Sequence, residues 1–337
     1  MGATIKDVAS YAGVSVGTVS KYINGGALKQ NNQLKIEEAI ENLKFKPNKI
    51  AKGLRNAKTY TVAILVSSLN LVFIIEIINS IEKYLSQKGY SMILCDCQDN
   101  PELEFEKVKQ NINRMVDGLI LMPCNNSEEV IEYIQKKEVP LVLLDKLEEG
   151  IEADGVVLDN VEATYLGMKN LIQNGHEKIA IITGDPSHYT AKKRIEGYIK
   201  ALVEAGIPVK SEYIVSGDYT VKGGKEAFHQ LWDLEEKPTA IFASNYDVTL
   251  GAYMEINNYQ LSIPEDLSIV GFDMSQLSEV INPKLSVVGQ PLGEMGDDVA
   301  RLLYKRMQKD YESFPELIMK EPYFECGNSV KNLKKEG

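Results

Sequence analysis

From Tyr60 onward the chain alternates short apolar runs with longer amphipathic stretches, and this alternation narrows the possible folds more than any other feature. Runs rich in Val, Ile and Leu suit strands buried on both faces, as in parallel sheets. They fall at 61–66, 91–95, 118–122, 141–145, 155–158, 178–183, 240–243 and 268–272. Helical periodicity occupies 73–87, 102–114, 128–137, 161–174, 192–205, 222–231, 247–258 and 293–308. The pattern predicts α/β architecture with mostly parallel sheets. So many strands exceed one comfortable sheet, and 337 residues exceed one ordinary core, so two similar lobes dividing near residue 160 are expected.

The first 58 residues are built differently. They carry 10 Lys/Arg against 4 Asp/Glu, whereas the remainder carries 27 against 44. A small basic head on an acidic body points to nucleic acid at the head alone. "TIKD" at 4–7 is a capping box that starts a helix at Thr4, with Ile5, Val8, Ala9 and Ala12 on its inner face. Gly13 breaks that helix. Ser15 caps a second, which buries Val16 or Val19 together with Ile23, and "NGG" at 24–26 stops it. A third runs from about Asn32 to Lys44, with Ile36, Ala39, Ile40 and Leu43 at helical spacing. Two short helices joined by a glycine-containing turn and closed by a third make a helix-turn-helix unit, whose second helix enters the major groove. Gly17 then falls in the first turn, where no backbone hydrogen bond depends on it. After Pro47, "NKIAKGLRNAK" is too short and polar for a lone helix and reads equally as a linker or as a segment that folds in the minor groove.

Enzyme chemistry finds little support. Only three histidines occur (His176, His188, His229), with no G-x-S-x-G, H-E-x-x-H or Walker-type phosphate loop. "TGDP" at 183–186 lacks the glycine spacing of a phosphate cradle. Cys95 and Cys97 sit within an apolar run as C-x-C and are expected to be buried free thiols in a reducing cytoplasm. No run approaches a membrane span, and no secretory signal pattern opens the chain. No metal or cofactor is expected. Ligand sites of open parallel sheets lie beyond the strands' carboxyl ends. That rule places Ser67, Ser68, the 184–190 loop, Asn245, Tyr246 and Asp273 around a cleft between the lobes. The helix "VFIIEIINSIEKYL" is apolar around most of its circumference, so it is expected to pack on its sheet and on a second subunit.

"TIKDVASYAGVSVGTVSKYING", "PNKIAKGL", "DGLIL", "GFD" and "SVVGQP" together resemble the LacI–GalR family of bacterial transcription regulators over essentially the whole chain. The resemblance implies a small all-α helix-turn-helix head (1–46), a hinge helix (47–59) and a two-lobed α/β core (60–330) like periplasmic sugar-binding proteins. The N-lobe would comprise about 60–160 and 290–320, the C-lobe about 161–289 and 321–330. It further implies a homodimer on double-stranded operator DNA, with no membrane partner, controlled by a small effector in the cleft. Base contacts then fall on Val16, Gly17 and Lys21, and phosphate contacts on Thr4, Ser15, Thr18, Ser20 and Asn24. Leu54, with Ala51 beside it, becomes the minor-groove wedge. Effector positions become Ser68, Phe73, Ile74, His188, Thr190, Arg194, Tyr219, Asn245, Tyr246 and Asp273.

Four departures from the family pattern stand out: Asn32–Gln33 before the third helix, Phe73–Ile74 in place of two aromatics, Asn245–Tyr246 in place of Asn-Asp, and Ser286 with Gly289 in "SVVGQP". Arg194, His188 and Asp273 point to a sugar, with an acidic sugar or sugar phosphate as the charged options. The function expected is a repressor of carbohydrate-utilisation genes; the alternative is a cytoplasmic sugar-binding protein without specific operator binding.

Overall fold

The structure, a computed structural model, describes residues 3–23, 26–45, 58–148, 150–273 and 278–335. It separates into two compact units, residues 1–59 and 60–337.

Among its described residues the head holds three helices: α1 (Ile5–Ala12), α2 (Val16–Ile23) and α3 (Gln30–Asn42). The Thr4 backbone N–H donates to Asp7 Oδ2 at 2.8 Å and the Asp7 N–H donates back to Thr4 Oγ1 at 3.4 Å, completing the capping box. The Thr4 backbone N–H and, next, the Thr4 hydroxyl, both donating to the Asp7 carboxyl, hold it below its ordinary range. Gly13 ends α1 at φ 64°, a left-handed conformation that glycine adopts without strain. Val8, Ala9, Ala12, Val19, Ile36 and Ala39 form the core of the unit. Val19, not Val16, is the inward residue of α2; Val16 is 39% exposed. Side-chain bonds tie the helices together: Asn42 Nδ2 donates to Tyr11 Oη at 3.0 Å, and Tyr22 Oη donates to Glu37 at 2.9 Å. α3 begins two residues before the expected start, since neither Gln30 nor Asn31 opposes a helix. The hinge expected at 47–59 lies almost wholly outside the described residues, and Asn24, Ala51 and Leu54 lie outside them entirely.

The second unit contains two six-stranded sheets. One has the order β11-β5-β4-β3-β1-β2, from Leu317–Lys320, Asp154–Leu158, Leu141–Leu144, Gly118–Leu121, Thr61–Val66 and Ser91–Asp96. The other has the order β12-β10-β9-β8-β6-β7, from Tyr323–Glu325, Ser286–Gly289, Ser268–Phe272, Ala240–Ala243, Ile179–Thr183 and Ile214–Ser216. Every pairing is parallel except that of β12 with β10. The first five strands and the next five repeat one topology. Sequence periodicity missed β7, β10, β11 and β12, which are three or four residues long; β11 and β12 lie at sheet edges and are only partly buried.

Helices α4 (Ile74–Gln87), α5 (Pro101–Asn113) and α6 (Glu128–Lys136) accompany the first sheet. The helices α7 (Asn160–Gln173), α8 (Tyr189–Glu204), α9 (Val221–Trp232) and α10 (Tyr246–Asn258) accompany the second. The chain then returns: α11 (Leu292–Met307) packs against α4 of the first lobe. Gly296 permits that contact, because a Cβ there would lie 2.5 Å from the Ile77 carbonyl oxygen. The lobes are thus joined at three places: β5 to α7, β10 to α11, and β11 to β12. α8 starts three residues earlier than periodicity indicates, which sets Thr190 and Arg194 one turn apart on a single helix face.

On α4, Ile77, Ile81 and Leu85 are buried in the first lobe while Ile75 is 57% exposed. Cys97 is buried, Cys95 half-buried and Cys326 exposed, all as free thiols. Among the described residues no helix is long and apolar enough to cross a membrane.

Arg306 of α11 is 1% exposed and binds Asp154 of β5 through two bonds, at 2.7 and 2.9 Å, which fixes the returning helix to the first sheet. Removing one partner of a buried pair strands the other charge in a low-dielectric interior. Arg306→Leu is therefore expected to lower stability by about 3–5 kcal/mol in urea unfolding; a change below about 1 kcal/mol, the range of surface pairs, would contradict this role.

Candidate functional site

In the head, α2 offers one exposed polar edge. Ser15 caps it by accepting from the Thr18 N–H at 3.1 Å, with the two hydroxyls 2.8 Å apart. Ser15, Val16, Gly17 and Lys21 are exposed, while Thr18 and Ser20 are half-buried. Gly17 faces open space: a Cβ there would meet nothing closer than Ser15 Oγ at 3.7 Å. Thr4 is occupied as a cap, since its hydroxyl donates to Asp7 at 2.7 Å. Near α2, Gln33 Nε2 donates to Glu37, the carboxylate that also receives Tyr22.

In the core, a cleft of about 380 Å³ opens where the carboxyl ends of the strands from both lobes face each other. The strand orders explain the location. In each sheet the connections reverse direction beside the first strand of the repeat, between β1 and β3 and between β6 and β8, and such switch points leave a crevice. The loop after β1 contributes Ser67, Ser68 and Asn70 to Phe73, and the segment after β6 contributes His188, Thr190 and Arg194. Asp145 follows β4 and Asp273 follows β9, equivalent places in the two lobes, and both have positive φ (69° and 59°). Aspartate tolerates that conformation better than most residues.

The guanidinium of Arg194 lies over the Phe272 ring, 4.0 Å from its centroid. Its Nε donates to Asn160 Oδ1 at 2.8 Å and Nη1 donates to the Ser244 carbonyl. Asp273 accepts from Gln290 Nε2 at 2.7 Å. Burial pushes its carboxyl up to about 7 against the opposing pull of Arg194 and Gln290. Asp145 is likewise raised by burial, with Lys146 and Arg194 opposing. Burial, with Lys146 adding to it, lowers His188. Tyr219 fits against Gly184, where a Cβ would come 2.4 Å from its ring, and its buried hydroxyl has no partner among the described residues. Asn245 caps α10 by accepting from Val248 N–H at 2.9 Å.

Nine of the ten effector residues expected from sequence meet in this cleft: Ser68, Phe73, His188, Thr190, Arg194, Tyr219, Asn245, Tyr246 and Asp273. Ile74 does not. It is fully buried in the first lobe's core, because the first turn of α4 points it inward and leaves Phe73 to the cleft. Sequence reasoning missed Asp145 and Lys146, having run the strand through Asp145; the positive φ there ends it at Leu144. It also missed Asp218, Thr220 and Val221, which follow the unrecognised β7, and Asp99 and Asp247.

Comparison with known proteins accounts for both units. Residues 4–48 match the bacterial regulatory proteins of the lacI family, and residues 59–327 match the periplasmic binding proteins and sugar binding domain of the LacI family. Catabolite control protein A of Priestia megaterium is 37% identical over 92% of this chain and 94% of its own. The transcriptional repressor PurR of Actinobacillus pleuropneumoniae is 32% identical over 99% of this chain and 100% of its own. The lac repressor dimer bound to operator and the anti-inducer ONPF superposes with a TM-score of 0.86 at 25% identity, covering 98% of this chain and 100% of that one. A complex of the regulator CelR with cellobiose gives 0.75 at 27% identity, covering 97% and 99%. The chain therefore belongs to the LacI family of bacterial regulatory proteins: it is a DNA-binding transcription regulator with a sugar-binding type of core, and not an enzyme.

Proposed function

We propose that this regulator acts in the cytoplasm as a homodimeric repressor of carbohydrate-utilisation genes, and that a small neutral sugar in the core cleft sets its affinity for a pseudo-palindromic operator. The observation that carries the effector reading is the cleft itself. Arg194 stacks on Phe272, and its charge acts on the two carboxyls contributed by equivalent strand ends, Asp145 and Asp273. Such a set pairs with hydroxyls that donate and accept at once, while Tyr219, Tyr246 and Phe73 offer ring faces to a sugar. Charge speaks against the acidic options. The lining carries five aspartates but only Lys146 and Arg194 as permanent cations, and two of the guanidinium nitrogens already donate within the protein.

At the DNA, Val16 offers an apolar contact to a thymine methyl and Lys21 donates to guanine acceptors, while the bare Gly17 allows close approach. Ser15, Thr18 and Ser20 serve phosphates, with Thr4 contributing mainly as a cap. Asn24, Ala51 and Leu54 keep the DNA roles that the family resemblance gives them. The exposed Ile75, with Leu69 and Val72 near it, supplies apolar surface for the dimer. An effector changes operator affinity only to the extent that it prefers one lobe arrangement.

The test is operator selection from a random duplex pool followed by titration at several salt concentrations. A palindromic consensus whose log K falls steeply with log salt supports the reading, whereas salt-sensitive binding without preference refutes it. Lys21→Ala should weaken the selected operator by about 1–3 kcal/mol. Gly17→Gln should change the selected sequence and leave thermal unfolding unchanged, given the open space at its Cβ. Calorimetry against panels of neutral and acidic sugars decides the effector's charge, and tighter binding of the acidic panel would overturn the neutral assignment. Arg194→Met should abolish the effector response with operator binding retained.

A further inference from the structure

Two of the segments that join the lobes each carry an amide side chain that grips a charged group of the cleft. Asn160, where β5 crosses into α7, accepts from Arg194 Nε at 2.8 Å. Gln290, where β10 crosses into α11, donates to Asp273 Oδ2 at 2.7 Å. Both amides are almost completely buried, at 2% and 4% exposure. The Asp273 backbone N–H also donates to the Val288 carbonyl at 2.9 Å, so the residue is fastened to the end of β10 twice. The Leu292 N–H donates to the Gln290 carbonyl at 2.9 Å, which carries the connection into the first turn of α11.

The Asp273–Gln290 pair is incomplete. Asp273 Oδ1 and Gln290 Oε1 are both buried acceptors without a partner among the described residues. Buried acceptors of this kind are uncommon, and each calls for a donor. A proton on Asp273 or a hydroxyl of a ligand supplies one.

We propose that Gln290 is a positioning residue: it holds one oxygen of Asp273 from the lobe crossing, leaves the other for a donor, and so transmits the state of Asp273 to the strand that joins the lobes. Asn160 does the same for Arg194 at the other crossing. A proton or ligand hydroxyl that arrives at Asp273 then alters the Gln290 bond and the path into α11, which packs on α4 and thereby on the 67–73 wall of the cleft. The charged groups facing Asp273 are Arg194 from α8 and Asp145 from the end of β4; Lys146, His188 and Asp247 share the same cleft. This inference deepens the effector reading and borrows its use from it, but its test contains neither effector nor operator, so either can fail alone.

The test is a pH titration of the full chain labelled with carbon-13 at the aspartate carboxyls and nitrogen-15 at the amides, with Asp273→Asn identifying the signal. The Asp273 midpoint is expected near 7, with the amides of Gln290 and Leu292 moving at the same midpoint and losing that step in Asp273→Asn. In Gln290→Met, which removes the donor and keeps the bulk, the carboxyl midpoint should rise by about one pH unit, and the step at Leu292 should vanish. Gln290→Glu, for use where the methionine variant does not fold, places a second carboxylate at the same spot and should also raise the midpoint, since the two groups then share a proton. An Asp273 midpoint unchanged in the folded variant, or flat amides at 290 and 292 in the parent, would overturn the proposal.

Discussion

Everything functional in the core depends on strands that run parallel. A parallel sheet gathers the carboxyl ends of all its strands on one side, so each strand end, however far apart in sequence, delivers its next residue to the same rim. Two such sheets, each switching direction beside the first strand of its repeat, present two rims to one cleft. The lining shows the consequence, because residues after β1, β2, β3, β4, β6, β7, β8 and β9 all appear there. Little of the lining needs long side chains to reach inward; the topology brings the backbone to the ligand.

The same constraint explains what the sequence made legible. Strands buried on both faces must be apolar throughout, and runs such as TVAILV and AIFA carry no other plausible reading. The edges are another matter. β11 has an apolar run of only three residues, with Leu317 and Met319 exposed and Ile318 half-buried, and β7 has only three residues in all. Both owe their pairing to neighbours distant in the chain, information that a local window does not hold. At the site, Asp273 was legible because "GFD" ends a strand visibly. Asp145 was not, because apolar residues run up to it and only its positive φ marks the end. Ile74 errs in the opposite direction: the family resemblance placed it in the cleft beside Phe73, whereas helix geometry turns it about 100° away and into the core.

The head and the core solve the problem of charge differently. In the head the described basic residues lie mostly on the surface, and the small core of Val8, Ala9, Ala12, Val19, Ile36 and Ala39 contains no polar side chain. In the core two arginines are almost wholly buried, and each is neutralised in its own way. Arg306 has Asp154 in a paired, two-bond arrangement with nothing left to react, so it serves packing. Among the described residues Arg194 has only neutral partners within bonding distance, a carbonyl and an amide oxygen, while its charge is opposed from a distance by Asp145 and Asp273. A buried cation with no direct counterion is costly in stability, and the fold retains it where a ligand would meet it.

The repeat of the two lobes sharpens this argument. β4 and β9 are equivalent strands, and each is followed by an aspartate with positive φ. Equivalent positions in a repeated fold would be expected to have equivalent surroundings, yet among the described residues only Asp273 is tied by a side-chain donor from a lobe crossing. At the equivalent crossing after β5, the amide of Asn160 turns instead to Arg194, a residue of the second lobe. Both crossing amides therefore attach to groups of the second lobe, one to its cation and one to its anion. Asp145, on the first lobe, has Lys146 and Arg194 only as charges nearby. Were the lobes to move relative to one another, Asp273 and Arg194 would keep these amide bonds from the crossings, whereas no such bond holds Asp145 among the described residues. A ligand bridging the lobes would then meet one half held by the crossings and one half that is not, an asymmetry that binding needs if it is to favour one arrangement of the lobes over another.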